Sequence, residues 1–538
     1  MKKVTLLTLV LSAFISANAQ NTFMETFAGS SDAKFSSIRQ TSDSGFVYAA
    51  ATNSFGAGNN DVYLVKTNST GNIMWSKTYG GTGNDYAYAV EKTNDGGFII
   101  AGNTSSFGAG SNDIYIIRTN SSGDTIWTKT YGGSNNDGIG SDNSIQRTSD
   151  GNYIFVGSTK SFGQGDFDIY LVKINDLGDT LWTRTFGNSS SNTGNSVKQT
   201  SDGGYIIAGT TMVGSREEMN VVKTDSLGNL VWSNLYVIPV QVDYTTLTGL
   251  SILQTNNGGY TIEGRMIHNY NSYSDAYIDI ISLDNLGAIN TSNVYLLNYN
   301  SIIGMSGYGT LAATNDGGHI ITGYLGILDT FGVVSSYFLL LKKEGGSGAS
   351  WTKTFGGTSM PLIGTGVIQT NDGGYAVSGI SFNSSLYMII KTDSLGNGGC
   401  NSNSITLYGS SSGFIPIIGQ SPNTIQSGGG IVHSTPTLIG TGSITVNNPC
   451  SVGISEINNH QSSIEVYPNP FTSTATITFS EEQKNTTVLI SDILGNTVQQ
   501  LTTNNQQLIL DMSSLAKGIY FLQINNDKGT VNKKLIKQ

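Results

Sequence analysis

Charge is scarce in this sequence. Only 12% of its 538 residues are Asp, Glu, Lys or Arg, about half of the roughly 25% usual for soluble domains. No run of Lys and Arg is dense enough to follow a phosphate backbone, which argues against nucleic acid as a partner. Histidine is scarcer still: His268, His319, His433 and His460 make up the whole set. No two of them share a metal-ligand spacing, and no Ser or Cys sits in a nucleophile motif, so catalytic zinc and Ser-His-Asp chemistry find no support. Cysteine stops at two, Cys400 and Cys450. Beyond the N-terminus no apolar run is long enough to span a membrane.

Those two cysteines gain meaning from the first twenty residues, "MKKVTLLTLVLSAFISANAQ". Lys2 and Lys3 precede an apolar core from Val4 to Ile15, and Ala17-Asn18-Ala19 supplies small residues at a cleavage site. This pattern predicts a secretory signal peptide over residues 1–19. In an oxidising compartment an isolated pair most simply forms one disulfide, Cys400–Cys450. The net charge of −10 and the hydrophobic fraction of 38% fit a folded, weakly acidic exported protein.

What the chain has in abundance is glycine, 68 residues, much of it in a repeat. "NDGGF" at Asn94 returns as "SDSGF" at Ser42, "SDGNY" at Ser149, "SDGGY" at Ser201, "NNGGY" at Asn256, "NDGGH" at Asn315 and "NDGGY" at Asn371. Each copy sits between apolar runs such as "YAYAVEKT" and "FIIAGNT", where Asp-Gly or Gly-Gly predicts a two-residue hairpin turn. Two further runs complete each unit, and the inner ones are continuously apolar, as strands buried on both faces must be. The five tryptophans, Trp75, Trp127, Trp182, Trp232 and Trp351, all fall on the fourth run, a register that predicts packing between units. After the seventh unit the fourth run is missing, while an orphan copy, "FMETFAG", precedes the first. An N-terminal strand that completes the last unit is therefore expected, and with it a closed ring without exposed sheet edges.

The expected fold is all-β: a seven-bladed β-propeller over residues 20–400, closed by the N-terminal strand. Its units resemble the tandem propellers of secreted bacterial proteins, loosely akin to kelch and related families, a likeness that carries little functional specificity. Residues 401–453 are Ser/Gly-rich and read as a looped, disulfide-closed connector with some short strands. Residues 454–538 contain "VYPNPF", "ISDILGNTV", "LAKGIYFLQI" and "NKKLIKQ", and this segment resembles the C-terminal sorting domain of type IX secretion substrates. The resemblance implies a Bacteroidetes-type cargo, a small β-sandwich tail, handling by type IX secretion machinery, and an extracellular or outer-membrane-surface address. Tyr467, Pro468, Asn469, Pro470, Gly518, Tyr520 and Lys534 carry it.

Asp32, Asp85 and Asp137 recur where one unit passes to the next, and Asp61, Asp113 and Asp168 recur between the second and third runs. Recurring acids lie around a ring instead of converging, so they read as turn stabilisers, with Ca²⁺ the minor alternative and no other cofactor indicated. A ligand site should break the repeat instead. Units one to three look regular; units four to six do not, and bring Arg216, Glu217, Glu218, Tyr236, Asp243, Tyr244, His268, Tyr270, Tyr273, Tyr299 and Tyr308. These are the candidate residues of a non-catalytic site for a glycan or protein at the cell surface. The alternatives are a polysaccharide-active hydrolase or lyase using the carboxylate, Tyr and His groups of that set, and a structural surface-layer component.

Overall fold

The computed structural model describes residues 21–28, 37–237, 245–269, 274–296, 302–328, 334–344, 350–357, 362–381 and 386–398, seven short strands between 402 and 447, and 465–468, 471–479, 486–492, 497–526 and 529–537 of the tail. Its described residues form antiparallel sheets throughout, with one 3-10 turn, Asp142–Ser144. The chain divides into two compact units, Met1–Cys450 and Ser451–Gln538.

The first unit contains seven sheets, six of them built on strands consecutive in the chain. The second sheet is representative, with Asp85–Lys92, Phe98–Thr104, Asp113–Thr119 and Thr125–Gly132 in order. Its two middle strands are buried at every position, as their apolar runs require. The seventh sheet takes its fourth strand from the N-terminus: Phe23–Ala28 pairs antiparallel with Leu386–Thr392, Phe23 opposite Lys391. That is the register of Trp75 opposite Lys66 and Trp127 opposite Arg118, so Phe23 occupies the tryptophan slot.

Consecutive sheets share apolar clusters. The first and second meet through Val47, Val62 and Tyr79 against Val90, Ile100 and Tyr115, and the series continues sheet by sheet. It ends with Ile363, Tyr387 and Ile389 of the seventh sheet packed on Ile38, Phe46 and Tyr48 of the first. Each tryptophan lies against the turn glycine of the next sheet, so close that a β-carbon on Gly123 would stand 2.8 Å from Trp75. Trp127 on Gly178, Trp182 on Gly228, Trp232 on Gly287 and Trp351 on Gly396 repeat the contact, and Phe23 makes it on Gly71.

The repeated turn differs from a two-residue hairpin. Thr93 N donates to Gly97 O at 3.1 Å and Gly96 N to Thr93 O at 3.2 Å, a β-turn inside a five-residue loop whose Gly96 has φ +81°. The motif aspartate faces back onto the third strand and pairs with its cation: Asp43 with Lys66, Asp95 with Arg118, Asp150 with Lys173, Asp202 with Lys223, Asp316 with Lys342 and Asp372 with Lys391. In the fifth sheet the aspartate is Asn257 and the cation is Ser282, so both partners are lost together.

The stretch after Cys400 is more ordered than a looped connector. Seven short strands, Ser402–Ile405, Tyr408–Ser410, Ile417–Gln420, Thr424–Gln426, Ile431–Ser434, Leu438–Gly440 and Val446–Asn447, each add a fifth strand. They join the sixth, fifth, fourth, third, second, first and seventh sheets in turn, against the direction of the chain that built them. Each sheet still ends in an edge at its fourth strand, contrary to the edge-free expectation, and this belt pairs every one of them. Paired edges are protected edges. Cys400 and Cys450, which flank the belt, lie outside the described residues, as do residues 1–20 and Asp32.

The second unit has a three-stranded and a four-stranded sheet. One apolar cluster, including Ile477, Leu510, Val488, Leu522 and Leu535, joins the two.

Candidate functional site

Residues on or beside the first strands of all seven sheets line one cavity of about 680 Å³. Arg39, Glu91, Asp142, Asn143 and Lys198, from the first four sheets, form a charged wall. Leu253, Leu311, Val367 and Ile368, from the last three, form an apolar one. Size and mixed lining are those of a small-molecule pocket.

The charged wall depends on an interruption in the third sheet. Its first strand is split into Asp137–Gly138 and Ile145–Arg147, with the 3-10 turn between them. Ser141 caps this turn, its hydroxyl accepting from Asn143 N at 3.2 Å. The turn places Asp142 and Asn143 in the lining of the cavity. Arg39 donates through Nε to Glu91 Oε2 at 3.1 Å and through Nη1 to Asp142 Oδ1 at 3.3 Å. Lys198 Nζ donates to Asn143 Oδ1 at 2.9 Å, and Asn143 Nδ2 to Ser251 Oγ of the fifth sheet at 2.8 Å.

Burial opposes the Arg39 charge, but Asp142 and Glu91 outweigh it and hold the guanidinium above its ordinary pKa. Burial raises the Asp142 carboxyl, with Arg39 pulling the other way. Lys198 is pushed down to about 8, by burial first and then by the neighbouring Arg39 cation. An amine there gives up its proton more readily than a free lysine.

Of the residues expected from sequence, Arg216, Glu217, Glu218 and Tyr236 do not line this cavity. Arg216–Thr224 is a strand reached by a tight turn from Val213, so the irregular segment is a shortened hairpin. Arg216 pairs with Glu218 at 3.3 Å, and Glu217 accepts from Thr248 Oγ1 at 2.9 Å. Tyr236 is fully buried and donates to Gly287 O at 2.7 Å, as Tyr79 does to Gly123 and Tyr131 to Gly178. It packs sheet against sheet and is closed to a ligand. His268 and Tyr308 lie on strands Tyr260–Asn269 and Ile302–Ala313, where only their backbone is described. Asp243, Tyr244, Tyr270, Tyr273 and Tyr299 fall outside the described residues.

The recurring acids hold turns. Asp85 accepts from Gly81 N at 2.8 Å and Ser106 Oγ at 2.6 Å, and Asp137 from Gly133 N and Ser161 Oγ at 2.7 and 2.6 Å. Asp61, Asp113 and Asp168 accept from the amides of Gly58, Gly110 and Gly165. Among the described residues no group of three or more His, Cys, Asp or Glu is placed to hold a metal ion.

In the tail, Tyr520 is buried and donates to Ala516 O at 2.7 Å, while Tyr467 is 78% exposed beside Pro468. Gly518 opens the strand Gly518–Asn526, and Lys534 lies on Gly529–Lys537, opposite Phe521. Asn469 and Pro470 lie outside the described residues. Sequence reasoning missed Lys537, whose Nζ donates to Met512 O at 2.7 Å and Ser513 O at 3.1 Å.

With this geometry in view, the comparisons with known proteins bear on the tail alone. Residues 465–538 match the family described as a secretion system C-terminal sorting domain. The chain is exported to the cell surface or outer membrane. The match supports a secreted protein of Bacteroidetes type and implies handling by type IX secretion machinery. No helix among the described residues is long and apolar enough to cross a membrane. No curated protein matches the sequence.

Solved structures with some likeness include PorZ, a surface component of the type IX secretion system of Porphyromonas gingivalis. It is 12% identical with a TM-score of 0.34, over 95% of this chain and 60% of PorZ. TolB of Acinetobacter baumannii is 10% identical with a TM-score of 0.28, over 69% of this chain and 64% of TolB. MPT-4, a mannose phosphorylase of Leishmania mexicana, is 10% identical with a TM-score of 0.29, over 67% of this chain and 84% of that one. This chain thus spans less than two thirds of PorZ and of TolB, and at TM-scores below 0.5 these likenesses decide nothing about its fold or activity.

Proposed function

We propose that the chain is an exported seven-bladed β-propeller whose axial cavity binds a small polar ligand, a glycan end or a peptide side chain, without transforming it. The N-terminal strand in the seventh sheet and the packing of that sheet on the first support the ring. Residues 1–19 are its signal peptide, 20–400 the propeller, 401–453 a belt around it, and 454–538 the sorting domain. A Cys400–Cys450 disulfide would tie the belt's two ends. The observation that carries the binding reading is the cavity itself, walled by residues on or beside the first strands of all seven sheets and divided into a charged and an apolar half. Its acids are committed to Arg39 and its lysine to Asn143, which favours recognition over proton transfer.

The axial site, the irregular segments and the tail are tested separately. Binding of neutral oligosaccharides or short peptides should be lost in Lys198→Gln with the melting temperature retained, whereas turnover of a polysaccharide panel would favour the hydrolase or lyase reading. Tyr270→Ala asks separately whether the segments of sheets four to six form a second binding surface. Deleting 454–538 should trap the protein in the periplasm, and normal surface display of the deletion would overturn the sorting role.

A further inference from the structure

At four junctions between consecutive sheets, a glutamine ending a first strand caps a turn of the sheet before it. Ser149 N donates to Gln199 Oε1 at 2.8 Å, Ser201 N to Gln254 Oε1 at 2.7 Å, Asn315 N to Gln369 Oε1 at 2.7 Å and Asn371 N to Gln40 Oε1 at 2.8 Å. In the second and third sheets the same slot holds Lys92 and Arg147, the last residues of Asp85–Lys92 and Ile145–Arg147. A cation accepts no hydrogen bond. The amides of Ser42 and Asn94, which occupy the capped turn position in the first and second sheets, accordingly have no protein acceptor among the described residues, and both residues are exposed.

These four groups meet. Ser42, Lys92, Asn94 and Arg147 line one pocket of about 320 Å³, beside Thr41 and Glu91. Arg147 Nε is shut off from solvent and has no hydrogen-bond partner. The acids nearby are committed elsewhere: Glu91 accepts from Arg39 Nε and from Lys92 N, Asp43 pairs with Lys66, and Asp95 with Arg118. Two cations and two turn amides thus line the pocket, and its one carboxylate, Glu91, is already bonded to Arg39 and to Lys92 N.

We infer that this pocket binds an oxyanion, a carboxylate or sulfate group, which takes the place that glutamine Oε1 fills at four of the other five junctions, the fifth having Ala313 in the slot. A planar or tetrahedral oxyanion accepts from an amide and a cation at once, and Arg147 can engage it with paired donors. On an exported protein such a group comes either as a free anion or on an acidic sugar. The site shares Glu91 with the charged wall of the larger cavity, but its two cations and two turn amides lie outside that wall.

The test is calorimetric titration of the full chain with inorganic sulfate, galacturonate and oligogalacturonate, at low and high salt. Lys92→Gln/Arg147→Gln installs the glutamines of those four junctions, so this variant should fold with an unchanged or higher melting temperature. Its affinity for the oxyanion should fall at least tenfold, while Lys198→Gln keeps it. Tighter binding of oligogalacturonate than of the monomer would assign the anion to a glycan, and equal binding of sulfate and galacturonate to a free ion. Unchanged affinity in the double variant, or no binding of any of the three probes by the parent chain, overturns the inference.

Discussion

The fourth and fifth sheets are neighbours built on one repeat, and they handle charge in opposite ways. In the fourth, Asp202 and Lys223 pair at 2.8 Å, with Trp232 across the ladder from Lys223. In the fifth all three are gone, replaced by Asn257, Ser282 and Thr291. The fifth sheet instead buries two acids in its interior. Glu263 stands where the fourth sheet has Ala208, with neither carboxyl oxygen partnered, and Asp279 accepts only from Ser292 Oγ at 3.0 Å. The regular sheets keep charges paired at the turn end. The irregular one carries acids that are tolerable only when protonated.

This difference predicts opposite responses to pH. Burial pushes Glu263 up to about 8 and Asp279 up to about 7. A carboxyl raised in the fold gives stability that is complete below its unfolded pKa and lost as pH rises through the folded one. The fifth sheet should therefore weaken between about pH 4.5 and 8. For the turn aspartates burial also acts upward, but hydrogen bonds from Lys66 and Lys223 bring Asp43 and Asp202 down to about 2. Their contribution is present above pH 4 and lost as pH falls towards 2. The largest expected effect is that of Glu263→Gln. Near pH 4 it should leave stability unchanged, and at pH 9 it should raise it by roughly 3 kcal/mol or more, at about 1.4 kcal/mol per pKa unit. Denaturant melts across pH 4–9 check this, and a parallel pH dependence in the variant and the parent chain would sink the idea.

A smaller effect is expected from moving the charge pair. Asp202→Asn leaves Lys223, 5% exposed, without its carboxylate. Because Asp202 is 62% exposed and screened by water, the loss should be only about 1–2 kcal/mol. The converse is Asn257→Asp with Ser282→Lys, which rebuilds the pair in the fifth sheet. Each single change should be neutral or harmful, and the double mutant should recover about 1 kcal/mol of coupling in a double-mutant cycle. Strict additivity would show that the pair is an accompaniment of the repeat and no part of what holds it.

Much of this was legible in the chain. The joint loss of Asp, Lys and Trp in one unit of seven is visible by aligning the repeats, and so is Glu263, in "TIEG" against "IIAG". Tyr236 could have been read as a core residue by laying "NLYV" on "KTYG". The axial site was harder to see. Its signal is the interval of 55 residues between the copies at Asn94 and Ser149, against 52 for the copies before, which marks the insertion carrying Asp142. Only the packing of sheet on sheet brings Arg39, Asp142 and Lys198 together from three units. The belt was obscured because its strands are at most four residues long, too short for any periodicity to register, and because each is stabilised by an edge that the belt's own sequence does not contain.

The smallest effect sharpens the comparison at the turn itself. Six copies have glycine where the first has Ser44, which is held at φ +62°, the one non-glycine residue with positive φ among those described. The left-handed region costs an L-residue about 1 kcal/mol, because its Cβ crowds the following carbonyl. The hydrogen bond from Ser44 N to Thr41 O at 3.0 Å uses the backbone alone and would survive truncation. Ser44→Gly should therefore stabilise the first sheet by about 0.5–1 kcal/mol, less the extra entropy that glycine gives the unfolded chain. The same substitution logic run backwards, Gly203→Ser in the fourth sheet, where φ is +82°, should cost a similar amount. Equal melting temperatures for both variants and the parent would mean that the Asp–Lys pair, and not the turn conformation, sets the stability of this corner.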